Sequence, residues 1–113
     1  MALALNVYKT ITQVAPTSPV GIYTAPTGYS SIVLLAQAAN VGSETYTITV
    51  SHQRSNTGTA VTTEIVKNFP ISANDTASIT NGKLVLESGD VIVLSANNAS
   101  NVKFIVSVLE TLN

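Results

Sequence analysis

The chain has no cysteine, no tryptophan, one histidine and only 10% charged residues. Without cysteine there are no disulfides and no thiolate metal sites, and the redox compartment stays open. The single histidine, His52, cannot supply the imidazole set of a usual zinc centre. It is also the only side chain whose ordinary pKa lies near neutrality, so any acid–base chemistry has to begin there. The five basic residues (Lys9, Arg54, Lys67, Lys83, Lys103) are scattered singly and the formal net charge is −1, which leaves no electrostatic footprint for nucleic acid. No apolar run reaches the roughly 18 residues of a spanning helix. The opening Met1–Lys9 has no positive region ahead of its apolar residues, unlike a secretory signal, so the protein is expected to stay in the compartment where it is made. The expectation is therefore no cofactor, no metal, no nucleic acid and no membrane.

What is present is a succession of short Val, Ile, Leu and Thr runs broken by Ser, Asn, Gly and Pro. A length of 113 residues is that of one domain, and 45% hydrophobic content is ordinary for a folded core. Residues 1–14 read as an N-terminal arm or edge strand, with Leu3, Leu5 and Val7 alternating with Ala4, Asn6 and Tyr8 and the run continuing through Ile11 to Val14. Pro16 and Pro19 stop it, and residues 15–113 read as a single β-sandwich domain. Val20 begins a short strand that ends at the Pro26–Gly28 turn. Ser31–Ala39 (SIVLLAQAA) is a continuous apolar run, expected to be a buried central strand. In Glu44–His52 the residues Tyr46, Ile48 and Val50 alternate with threonines, the clearest period-two pattern in the chain. Arg54–Thr59 reads as the tip of a hairpin whose second strand ends at Pro70, and Asn81-Gly82 as a two-residue hairpin turn. Val91–Ala96 and Val102–Leu109 complete the set; in the last, Val102, Phe104, Val106 and Val108 share one face while Ile105 and Leu109 add apolar material to the other. The reading is all-β: one antiparallel sandwich, jelly-roll or immunoglobulin-like, of about seven or eight strands, with an extended N-terminal arm.

Catalytic constellations are hard to assemble from this inventory. His52 lacks a Gly-x-Ser-x-Gly elbow or a cysteine to activate, and reads as an ordinary surface or loop histidine. The carboxylates Glu44, Glu64, Asp75, Glu87, Asp90 and Glu110 are isolated. Glu87 and Asp90 flank one turn, but a calcium site wants about six or more oxygens, so turn chemistry is the simpler role. No catalytic, cofactor-binding or metal-binding residue is therefore assigned. The segments suited to contact are the arm and two tyrosines at the Pro26–Gly28 turn, giving Leu3, Leu5, Val7, Tyr8, Ile11, Tyr23 and Tyr29 as candidate assembly contacts. A low-charge, Ser- and Thr-rich surface repels copies of itself only weakly, which permits self-association.

Four stretches then carry a resemblance: Ile22–Gly28 (IYTAPTG), Ala38–Val41 (AANV), Asn81–Asp90 (NGKLVLESGD) and Ser107–Glu110 (SVLE). Together they resemble small β-sandwich virion structural proteins of tailed bacteriophages, over roughly residues 20–110. The resemblance brings no catalytic residues. It implies a non-enzymatic capsid decoration protein, located in the virion, that forms a homo-oligomer such as a trimer and docks on other virion proteins such as the major capsid or tail proteins. A neck, tail or baseplate accessory, or a carbohydrate- or receptor-binding module, is the alternative.

Overall fold

The computed structural model describes residues 6–54, 60–80 and 82–112. Nine strands make two antiparallel sheets, and no helix occurs among the described residues. The strands are β1 (Asn6–Val14), β2 (Val20–Thr24), β3 (Tyr29–Asn40), β4 (Tyr46–Arg54), β5 (Val61–Ile71), β6 (Thr76–Ser78), β7 (Leu84–Leu86), β8 (Val91–Ala96) and β9 (Val102–Leu112). One sheet, here sheet A, runs β1-β9-β3 with β6 and β7 both on the far side of β3; sheet B runs β2-β8-β4-β5.

β6 and β7 are two pieces of one edge strand. Thr76–Ser78 pairs with Gln37–Ala39, and Leu84–Leu86 pairs with Ser31–Val33 further along the same strand in the same direction. Counting them together, every connection crosses from one sheet to the other except the β4–β5 hairpin. That wrapping of paired strands around a barrel-like core is the jelly-roll order. It also corrects one expectation. The strands on either side of Asn81-Gly82, β6 and β7, pair with β3 and not with each other, so they do not form the expected hairpin. Asn81 and the Ser55–Thr59 part of the expected hairpin tip lie outside the described residues.

Period two explains the core. Ile48 and Val50 on β4, Ile92, Leu94 and Ala96 on β8, and Val102, Phe104, Val106 and Val108 on β9 all point between the sheets and are buried. Tyr46 is half-buried against the same cluster. The apolar run on β3 does not alternate cleanly, because a bulge interrupts its pairing with β9 between Val33 and Leu35. Val33 and Ala36 stay inside while Leu34 and Leu35 both emerge, 41% and 39% exposed. β5 runs through Pro70 to Ile71, one residue beyond its expected stop. As the edge of sheet B it has one side without a ladder, and a proline there forfeits no hydrogen bond.

Crossings between the sheets are fixed by specific bonds. The buried Asn40 donates from Nδ2 to the carbonyls of Glu44 (2.7 Å) and Ile71 (2.8 Å), and its Oδ1 accepts from the Gly42 amide. Gly42 has to be glycine, since a Cβ there would lie 2.7 Å from the Tyr46 ring. At the other end the Ala25 amide donates to the Asp90 carbonyl and the Gly89 amide to the Ala25 carbonyl, each at 2.9 Å, tying the β2–β3 and β7–β8 turns together.

Candidate functional site

Two polar clusters close one end of the sandwich. In sheet B, Tyr23, Ile92 and His52 lie side by side on the inner face; opposite them in sheet A, Glu110 pairs with Ser31. The Tyr23 hydroxyl donates to Glu110 Oε2 at 2.6 Å and lies 2.7 Å from Ser31 Oγ, joining β2 to β3 and β9 across the core. Glu110 is 3% exposed, and Lys9 Nζ reaches its Oε1 at 3.3 Å from the edge strand β1. Burial, and then the hydrogen bond to the Glu110 carboxylate, hold the Tyr23 phenol far above the usual tyrosine range. The folded chain thus keeps this proton more tightly than the unfolded chain. Its contribution is complete below about pH 10 and is lost as pH rises above that value, at about 1.4 kcal/mol per pH unit. Denaturant midpoints at about pH 8 and about pH 11 are expected to diverge more for the parent than for Tyr23→Phe, which has no phenol to ionise. Equal divergence would contradict this.

The second cluster involves His52, which is not the surface histidine expected. Its Nε2 lies 2.9 Å from Asp90 Oδ2, and the Asp90 side chain is fully buried. Asp90 Oδ2 also accepts from the Glu87 amide at 3.0 Å, while the Asp90 amide donates to the Glu87 carbonyl. This is the turn role expected for Asp90, with Gly89 at φ 86° supplying the left-handed position that the turn requires. Arg54 Nη2 meets Glu87 Oε2 at 2.9 Å at the margin. His52 has its acidic neighbour, but the bond it makes goes to Asp90 and not to a serine or threonine hydroxyl. Among the described residues no group of three or more metal-ligating side chains comes together. The first cluster is a strut between the two sheets, and the second ties the end of β4 to the β7–β8 turn.

The outer faces of the sheets differ. Sheet B presents Thr49, Ser51, Gln53, Thr62 and Glu64 around a shallow hollow of about 350 Å³. Sheet A presents one wholly apolar row across four strands, with Tyr8, Leu109, Ile32 and Val85 in successive register. Tyr8 is 75% and Val85 56% exposed, and the bulge adds Leu34 and Leu35 beside them. Below this row come Thr10–Ser107–Leu35, Thr12–Ile105–Gln37–Ser78 and Val14–Lys103–Ala39–Thr76.

The candidate assembly contacts divide accordingly. Leu3 and Leu5 lie outside the described residues. β1 pairs with β9 of its own chain over its whole length, so Tyr8 faces outward while Val7 and Ile11 turn toward the core. Tyr29 is half-buried. Tyr23 requires correction: it is 8% exposed, with its hydroxyl committed to Glu110, and offers no face to a partner. Ile32, Leu34, Leu35 and Val85 were missed, since only pairing register brings them beside Tyr8 and Leu109. The apolar second face of the last strand, Ile105 and Leu109, was the one signal visible in sequence.

No protein-family model matches the sequence, and no curated protein matches it. Solved structures do match in shape. A chain of the acidic stable capsid of Helicobacter pylori bacteriophage KHP30 aligns with TM-score 0.54 and 17% identity over 96% of this chain and 89% of that one. A chain of the T13 IBDV viral particle aligns with TM-score 0.60 and 9% identity over 97% of this chain, which spans 32% of that longer chain. A subunit of Bacillus endospore appendages, a family of disulfide-linked pili, aligns with TM-score 0.52 and 17% identity over 100% of this chain and 97% of that one. At these identities the likeness is one of fold.

Proposed function

We propose that this chain is a non-enzymatic structural protein of a tailed-phage virion, a capsid decoration protein that self-associates and docks on the particle through its exposed sheet faces. The observation that supports the reading most is the fold match with a chain of the KHP30 capsid over 96% of this chain and 89% of that one. The sparse charge, the polar clusters spent on struts and the apolar outer row of sheet A support it. Tyr8 and Tyr29 remain proposed assembly contacts, now joined by Ile32, Leu35 and Val85, while Val7 and Ile11 turn toward the core. The partners are other copies and further virion proteins such as the major capsid protein, and the location is the virion.

The endospore-appendage likeness favours a second reading, a filament subunit. With no cysteine, such a filament would have to be held without disulfides. Immunogold labelling of particles from cells expressing the gene separates the two. Label spread over capsid shells is expected. Label confined to a neck or tail would replace decoration by an accessory role, and label on filaments without virions would overturn the proposal.

A further inference from the structure

The outer face of sheet A has the features of a surface that pairs with itself. It carries a single charge, Lys103, in its four central rows. Two polar pairs are bonded within the face: Thr10 Oγ1 lies 3.2 Å from Ser107 Oγ, and Thr111 donates to Asn6 Oδ1 at 2.9 Å. The row Tyr8–Leu109–Ile32–Val85 is the part that loses least on drying, since the Tyr8 hydroxyl is its one polar side-chain group. Area is sufficient as well. Three strands of about nine residues and the two triplets of the outer edge, about 4.8 Å apart, present roughly 500 Å². Two such faces in contact bury about 1,000 Å² in total, at the lower end of a specific interface.

We infer that this face docks on the same face of a second copy, about a two-fold axis running along the strands between β9 and β3. This rests on the proposal that the sheet faces are contact surfaces, and not on the virion assignment. Rotation about that axis reverses the order Tyr8–Leu109–Ile32–Val85 left to right. Tyr8 of one copy then meets Val85 of the other, and Leu109 meets Ile32, each twice, as an isologous interface requires. Ser107 falls opposite Leu35. Lys103 falls opposite Ala39, so the one charge never meets its own image.

The cysteine-free chain allows a direct test. Tyr8 and Val85 stand at opposite sides of one sheet, three strand spacings or about 14 Å apart, beyond the reach of an intrachain disulfide. The double variant Tyr8→Cys/Val85→Cys is expected to form a covalent dimer with a short bis-maleimide that spans the about 10 Å between packed sheets but not the about 14 Å across one sheet, and Tyr8→Cys alone much less. Equal cross-linking of the single variant, or none by the double, would overturn the geometry. By sedimentation the parent is expected at twice the 11.7 kDa chain mass. Val85→Glu is expected to weaken dimerisation about tenfold or more, and Thr49→Glu on sheet B to leave it unchanged. A parent that stays monomeric, or a pairing broken only by Thr49→Glu, would overturn the inference while leaving the particle-labelling result untouched.

Discussion

Phe104→Ala is expected to lose about 3–5 kcal/mol of folding stability, the largest effect of any single substitution considered for this chain. Phe104 is 1% exposed and heads the fully buried side chains by volume. It sits on β9, which lies between β1 and β3, so each neighbouring strand keeps its ladder after the substitution and cannot close on the void. The cost is therefore the lost transfer of the ring from water plus a cavity that relaxes only in part. A domain of this size has about 5–15 kcal/mol in total, so the variant is expected to melt at least about 12 °C lower. Phe104→Leu, which fills much of the same volume, is expected to recover most of the difference. Thermal melts followed by circular dichroism decide it, and a loss below about 1 kcal/mol for the alanine variant would mean that Phe104 does not occupy the central layer.

His52→Ala is expected to cost about 2–3 kcal/mol, without any effect on chemistry, because the histidine is one half of a strut. Its removal leaves the fully buried Asp90 carboxylate with the Glu87 amide as donor; the other carboxylate oxygen, Oδ1, already has no hydrogen-bond partner among the described residues. The His52 side chain is 17% exposed, which places the cost below that of breaking a wholly buried ion pair. His52→Gln, which keeps a donor of similar reach, is expected to restore about 1 kcal/mol. Urea midpoints measure both, and an alanine variant as stable as the parent would show that Asp90 does not depend on the imidazole.

Strand positions were legible in the sequence wherever one face alone is buried. Tyr46, Ile48 and Val50 alternate with threonine, and Val102 to Val108 alternate with Lys103, Ile105 and Ser107, so period two specifies both place and orientation. What stayed hidden depends on register between distant segments. His52 and Asp90 are 38 residues apart and Tyr23 and Glu110 are 87, so no local pattern announces either bond. The bulge that sends Leu34 and Leu35 outward was masked by the apolar run around it, where every residue resembles core. Asn81-Gly82 misled for the same reason. Gly82 has a positive φ of 136°, but the strands on either side find their partner in the long β3. The candidate surface was half visible, through Tyr8 and Leu109; Ile32 and Val85 needed the sheet to bring them together.

The four rims of the two sheets are unequal. β2 is five residues long and carries an irregularity; β5 contains Pro70, Asn68 at φ 49° and two register shifts; β6 and β7 are separate triplets. Only β1 offers nine consecutive residues in unbroken register. A ribbon that lengthens by adding molecules side by side needs a receptive strand at both margins, and this molecule has one. Among the described strands an edge-to-edge ribbon thus finds one continuous rim, β1, and no second margin through which to lengthen.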